Sequence, residues 1–340
     1  MTSSAGFAHH GGRLGAARAL YSQAPQPWID LSTGINPKSY PAPRARGVTL
    51  NRLPDVGELS RLEAVAAGAF GVGDPQRVVA TGGTEPALRL LPYVLGQKLA
   101  LVAGPTYGSH CDGWARAGVP SRVVADSELE SSITDRTALI IVNPNNPDGR
   151  IVGRERLRQL HDSVVARGGV LVVDEAFAEV TPEASVADIA GTAAAPWLVV
   201  LRSFGKFYGL AGLRLGFVVG APEVVARIRG VIGDWPVSVD ALAAGLAAYA
   251  DRGWADRMRA QLVTTARRLD GLLGRHGFQV VGGTALYRLV RAEDVPVRFE
   301  KLAAAGILTR PFQHDAALLR FGLPGTAEAW RRLGEAVAGL

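Results

Sequence analysis

Short apolar runs alternate with stretches of helical periodicity along most of this chain. Residues 78–81, 99–102, 138–142, 170–173, 198–202 and 215–219 are apolar on both faces and rich in valine. Runs of that length, without polar alternation, mark strands of a parallel sheet covered by helices on both sides. Between them residues 60–70, 86–95 and 154–166 read as helices, the first with Glu58 and Glu63 near its start. The loops that carry function in such a sheet lie at the carboxyl ends of its strands. After about residue 222 the pattern changes. Helices over 222–232 and 241–273 precede strands near 278–281, 285–289, 307–310 and 317–321, which describes a smaller α+β domain. Residues 1–45 are rich in Gly, Pro and Ser and read as an N-terminal arm with one short strand at 29–31. The expected division is an arm (1–45), a large α/β domain (46–222) and a small C-terminal domain (223–340).

Composition narrows the chemistry. The 340 residues are 48% hydrophobic and 20% charged, ordinary for a globular protein with a large core. The formal charge is +6, and of the 37 basic residues only Lys38, Lys98, Lys206 and Lys301 are lysines. The arginine excess suits recognition of phosphate and carboxylate. No dense basic run interleaved with aromatics is present, so nucleic acid is not an expected partner. The single cysteine, Cys111, excludes an internal disulfide framework and multi-cysteine metal sites, and no metal is expected. Neither a signal-peptide core nor an uninterrupted apolar stretch of about 18 residues occurs, so a cytoplasmic protein with no membrane partner is expected.

One segment carries most of the chemical signal. A strand ends at Ser203-Phe204-Gly205-Lys206, and Arg214 follows eight residues after the lysine. A lysine just past a strand end can enter a cleft and form an imine with an aldehyde, helped when a sheltered site lowers its pKa. Ser203 and Arg214 can hold a phosphate dianion by charge-assisted hydrogen bonds. This Ser-x-x-Lys…Arg pattern resembles the signature of fold-type I pyridoxal-phosphate (PLP) enzymes, the aspartate-aminotransferase superfamily. The resemblance runs over nearly the whole chain. It implies an α/β fold with a mostly parallel seven-stranded sheet, PLP as cofactor bound to Lys206, and a homodimer.

The other motifs take their roles from that resemblance. Thr81-Gly82-Gly83-Thr84-Glu85 joins a strand to a helix, and free N–H groups at such a start bind phosphate. The resemblance makes it the PLP phosphate cup, with Gly83, Thr84 and Glu85. Tyr107 of Gly104-Pro105-Thr106-Tyr107 falls where an aromatic stacks on the pyridine ring. Asn143-Pro144-Asn145-Asn146-Pro147-Asp148-Gly149 resembles the family's Asn-Pro-Thr-Gly motif, with Asp148 in place of threonine. It puts the Asn146 amide at the PLP phenolic oxygen. Asp174 ends a buried strand where a carboxylate keeps the pyridine nitrogen protonated, which makes the ring an electron sink. Phe177 stands where related aminotransferases carry a tyrosine, and Leu53 where many carry another; neither can donate the hydrogen bond that a tyrosine would.

Two features narrow the choice within the superfamily. His10-Gly11-Gly12 and Asp30-Leu31-Ser32-Thr33-Gly34-Ile35-Asn36-Pro37 resemble the opening of the threonine-phosphate decarboxylases of cobalamin biosynthesis. The resemblance places His10, Gly11, Gly34, Ile35 and Asn36 at the substrate. Arg310 and Arg320 match two C-terminal arginines that bind the substrate's phosphate and carboxylate, both of which O-phosphothreonine carries. A histidinol-phosphate-type aminotransferase stays open beside the decarboxylase, because loss of CO₂ or of a Cα proton depends on ångström-level placement. A protein that keeps the fold without catalysis is the third reading.

Overall fold

The computed structural model describes residues 6–7, 10–43 and 50–340. In chain order α1 (Leu14–Leu20) and β1 (Ile29–Asp30) come first. Then follow α2 (Val56–Phe70), β2 (Val78–Thr81), α3 (Thr84–Leu95), β3 (Leu99–Ala103), α4 (Ser109–Arg116), β4 (Ser121–Val124), α5 (Leu129–Ser132) and β5 (Thr137–Val142). Next are α6 (Arg154–Val165), β6 (Val170–Asp174), β7 (Leu198–Ser203), α7 (Phe204–Phe207), β8 (Gly216–Val219), α8 (Pro222–Ile232) and α9 (Val239–Ala250). The chain closes with α10 (Arg252–Gly274), β9 (Gln279–Thr284), β10 (Tyr287–Arg291), α11 (Val295–Ala304), β11 (Ile307–Leu308), β12 (Arg310–Pro311), β13 (Leu318–Gly322) and α12 (Ala327–Ala338).

Two compact units are present. The larger holds Tyr40–Asn146 and Arg150–Ala255; the smaller holds Met1–Ser39, Pro147–Gly149 and Asp256–Leu340. The arm thus groups with the C-terminal elements, while α8 and α9, expected beyond the residue-222 boundary, group with the large sheet.

The large sheet has seven strands in the order β2-β8-β7-β6-β5-β3-β4. All pairings are parallel except those of β8, which is antiparallel to both β2 and β7. Strands β2, β5, β6, β7 and β8 are buried along their whole length. Val79, Val172, Val199, Leu201 and Val218 of the sheet meet Leu88, Leu91, Val224 and Ile228 of α3 and α8 in one core. Each such side chain contributes about 1.5–3 kcal/mol by leaving water. Because β8 is reversed, the residues before its first position lie at the same sheet edge as the carboxyl ends of the other strands. That is how Arg214 reaches the edge that Ser203 and Asp174 share.

Several element boundaries differ from those the pattern predicts. Helix α2 begins at Val56 rather than residue 60, because Asp55 caps it by accepting from Gly57 N and Glu58 N. β4 was not anticipated: it is a short edge strand with Arg122 and Val123 exposed, so its pattern is not that of a buried run. The helix expected over 241–273 is two helices. Asp251 leaves helical geometry at ψ 73° and caps α10 through its carboxylate, which accepts from Trp254 N at 2.9 Å.

In the small unit the order β12-β13-β10-β9 forms an antiparallel sheet, and β1 pairs in parallel with β11, Ile29 opposite Ile307. The single strand expected at 307–310 is split at Thr309: its first half serves β1 and its second half serves β13. The strand expected at 285–289 lies at Tyr287–Arg291, because the Thr284 hydroxyl accepts from Leu286 N and fixes a turn there.

Candidate active site

The large unit gathers the ten residues that the motifs assign to the cofactor at one sheet edge. β7 ends in Ser203, and α7 carries Lys206 in its single turn. That turn is wedged by aromatic rings: Phe204 stacks on Tyr208 at 4.8 Å, and Tyr208 stacks on Trp254 at 5.6 Å. Phe207 and Tyr40 meet Trp254 edge-on. A lysine on a rigid turn keeps a defined direction, and its Nζ lies 5.9 Å from the centroid of the Phe177 ring.

One strand over, β6 ends in Asp174, which is 4% exposed. Its Oδ1 accepts from Ala176 N at 3.0 Å, and its Oδ2 lies 2.9 Å from Nε2 of the buried His110. The carboxylate is therefore held at both oxygens. His110 was not among the residues singled out from the sequence. It sits in the first turn of α4, three residues after Tyr107, and its partner is 64 positions away, a distance that no local motif records. The Tyr107 ring meets His110 edge-on at 6.2 Å, and its hydroxyl donates to Glu85 Oε2 at 3.0 Å. Burial, reinforced by the nearby Glu85 charge, pushes the Tyr107 hydroxyl up to about 12, so it stays a proton donor at neutral pH.

On the other side of β7 lies an anion cradle. Gly83, at φ 98°, precedes α3 without any side-chain cap, so the first N–H groups of this twelve-residue helix meet no capping side chain. The Arg214 guanidinium packs against that turn so closely that a Cβ on Gly83 would lie 2.6 Å from Nη2. Gly216 pairs with Thr81 on one side and Ser203 on the other, which brings the Ser203 position beside the cradle. An uncapped helix start with a guanidinium alongside fits a phosphate dianion. Glu85 is placed differently from what its motif suggests. Its carboxylate is taken by Arg89, at 2.6 Å, and by Tyr107, so only its backbone can serve the cradle. Asn146 is buried at the end of the turn after β5, which Asn143 closes through Val152 and Asn145 ties to Pro105.

Behind these residues, on the opposite face of the strand ends, Arg202 pairs with Glu175 and Glu179, each at 2.8 Å. Burial raises the Glu179 carboxyl. This triad, also missed in the sequence, ties β6 to β7 one residue from Asp174 and Ser203.

The small unit holds the seven residues assigned to the substrate. Arg310 and Arg320 face each other across β12 and β13 in direct register, 7% and 2% exposed. Two cations at one buried register position repel, and an anionic ligand offsets that repulsion. Arg320 lies over the Tyr287 ring at 4.9 Å and donates from Nη2 to Ser32 O at 2.6 Å. Gly11 passes so close to Ser32 that a Cβ on it would stand 2.3 Å from the same oxygen, so only glycine fits. His10 adjoins it. Gly34 is buried and Ile35 half-buried; the buried Asn36 accepts from Lys38 N through its side-chain oxygen at 2.9 Å.

With this geometry in view, similarity to known proteins decides the family. The aminotransferase class I and II model matches residues 28–337. The chain belongs to that family. Among curated proteins, this family member is 37% identical over 330 residues to the threonine-phosphate decarboxylase of Pseudomonas aeruginosa, covering 97% of both chains. It is 33% identical over 279 residues to the histidinol-phosphate aminotransferase of Pectobacterium atrosepticum, covering 77% of this chain and 76% of that one. Among solved structures it matches the L-threonine-O-3-phosphate decarboxylase of Porphyromonas gingivalis with a TM-score of 0.75 at 19% identity, covering 92% and 98%. The architecture is the fold-type I, aminotransferase-like α/β fold, and PLP is the cofactor of this enzyme.

Proposed function

We propose that this family member decarboxylates L-threonine O-3-phosphate to (R)-1-aminopropan-2-yl phosphate. The observation that carries this reading is the buried Arg310–Arg320 pair, two cations in register for a substrate with two anionic groups. The 37% identical decarboxylase supports the same substrate. A histidinol-phosphate-type aminotransferase is the second reading, favoured by the 33% identical relative. Its substrate carries a phosphate and no carboxylate.

PLP supplies an electron sink for the pair left behind when CO₂ departs. The chain's residues do the rest. Arg214, Ser203 and the N–H groups at Gly83, Thr84 and Glu85 would hold the cofactor's phosphate. Tyr107 would cover its ring, Asn146 would donate to its phenolic oxygen, and Asp174, oriented by His110, would serve its nitrogen. Arg320 takes the substrate carboxylate. Arg310 with His10 and Gly11 takes the substrate phosphate, and Gly34, Ile35 and Asn36 complete the pocket wall. CO₂ loss rather than proton loss would require the substrate's Cα–carboxylate bond to stand across the plane of the cofactor ring, and holding the carboxylate is the part that Arg320 would play. The ammonium of Lys206 returns a proton to Cα.

The arginine roles are separable. Arg320→Met is expected to raise KM for O-phospho-L-threonine about 100-fold, the cost of removing one partner of a buried charged contact. Inhibition by O-phosphoethanolamine, which has the phosphate and lacks the carboxylate, should barely change. Arg310→Met should weaken both ligands. Equal losses for both ligands in both variants would reject the assignment.

Phe177 makes a second expectation. With no hydroxyl at this position, the imine that Lys206 would form with the cofactor would titrate higher than beside a tyrosine, whose hydroxyl would stabilise the deprotonated form. Phe177→Tyr is expected to lower that pKa by about 1–2 units, the size of one charged hydrogen bond. A spectral pH titration of the two proteins checks it, and an unchanged or raised value in the variant discards it.

In this reading the product serves cobalamin biosynthesis, and the enzyme is a cytoplasmic homodimer. Leu53, Val56, Tyr93, Val231 and Trp235 of the large unit are exposed apolar side chains. Among the described residues no helix is long and apolar enough to cross a membrane.

A further inference from the structure

The motif that begins at Asp30 contains polar residues to which the proposed reaction gives no task, and two of them, Asp30 and Ser32, are bonded to each other. Ser32 is 2% exposed, and each of its polar groups is engaged. Its N–H and its hydroxyl both donate to Asp30 Oδ1, at 2.9 and 2.6 Å. The hydroxyl oxygen accepts from Gly12 N at 2.7 Å. The carbonyl accepts from Arg320 Nη2 at 2.6 Å. The backbone on either side is pinned: Leu31 N donates to Leu308 O at 2.8 Å, and Gly322 N donates to Leu31 O at 2.6 Å. Ser32 is thus bonded both to Gly12 and to the guanidinium of Arg320.

We infer that Ser32 is a positioning residue, oriented by Asp30, that fastens the segment at residues 10–12 beside the Arg320 guanidinium so that both meet the phosphorylated amino acid as one preformed site. The inference rests on the proposed substrate reading of Arg320, His10 and Gly11. A hydroxyl that gives its proton to a carboxylate has its lone pairs fixed and polarised, which makes it a strong, directed acceptor for Gly12 N–H. The Ser32 hydroxyl ties Gly12 to this strand end, and the close passage of Gly11 over Ser32 O leaves the segment one seat. A substrate that finds its arginine and its glycine segment already assembled does not have to order them on binding.

The test compares Ser32→Thr, which keeps the hydroxyl, with Ser32→Val, which has the same shape without it. Both carry the same extra methyl, so packing strain cancels between them. For the holoenzyme with O-phospho-L-threonine, Ser32→Val is expected to raise KM about 30-fold over Ser32→Thr, with kcat within about threefold, because the loss falls on assembly of the site rather than on the chemistry. Hydrogen exchange of the substrate-free holoenzyme should show residues 10–13 exchanging at least tenfold faster in the valine variant. Asp30→Ala, which removes the orienting carboxylate, should move both readouts the same way, and it stands in if the residue-32 variants do not fold. Equal KM and equal exchange in the threonine and valine variants would overturn the inference, as would faster exchange with an unchanged KM. A wild-type protein that does not turn over O-phospho-L-threonine would instead remove the substrate reading, whatever the exchange data show.

Discussion

Replacing Lys206 with alanine is expected to lower decarboxylation of O-phospho-L-threonine by at least about 10⁴-fold, since the proposed covalent hold on the cofactor and the proposed proton donor at Cα are one amine. The turn that carries it keeps its aromatic wedge of Phe204, Tyr208 and Trp254, so the variant should fold. Reduction with borohydride followed by peptide mass analysis gives the direct readout. The wild type should carry the cofactor on the peptide containing Lys206, and the variant should carry none there. The chain has only three other lysines, Lys38, Lys98 and Lys301, so the assignment is unambiguous. Lys206→Arg should not restore activity, because a guanidinium remains protonated and forms no imine. A variant that retains activity within tenfold would remove the lysine from the chemistry.

The second large effect is expected at Asp174. Asp174→Asn keeps size and hydrogen-bonding shape yet removes the charge proposed to serve the pyridine nitrogen. Electrostatic contacts of this kind contribute about 10²–10³ in kcat, and a loss near 10³ is expected with the cofactor still bound and its absorbance visible. The effect on KM should be small, since the arginines proposed to hold the substrate lie on other elements. His110 gives a graded control. His110→Gln leaves the carboxylate charged but less firmly aimed, and the loss should be intermediate. An Asp174→Asn enzyme with normal kcat would contradict the role given to this carboxylate.

Much of the fold was legible because buried parallel strands write themselves as unbroken valine-rich runs. The motif residues at their ends, such as Gly83, Asp174, Ser203 and Lys206, stand next to those runs in sequence, so each is found with its strand. What was not legible depends on long-range partners. His110 acquires its meaning only from Asp174, and Arg202 only from Glu175 and Glu179. Thr309 divides what reads as one strand because β1 and β13, distant in sequence, each claim half of it. The same holds for Ser32, an unremarkable serine until Arg320 is seen to donate to its carbonyl and the Gly12 amide to its hydroxyl. The break at Asp251 is marked in the sequence only by this aspartate, which caps the following turn, and by Gly253, both within a long alanine- and leucine-rich run.

Incubating the pure holoenzyme with carboxyl-labelled O-phospho-L-threonine, in the absence of any keto acid, asks the decisive question. Labelled CO₂ should appear over many turnovers, in equal amount with aminopropanol phosphate. Turnover that begins only when 2-oxoglutarate is added, with the label retained in the organic product, would show a transaminase instead.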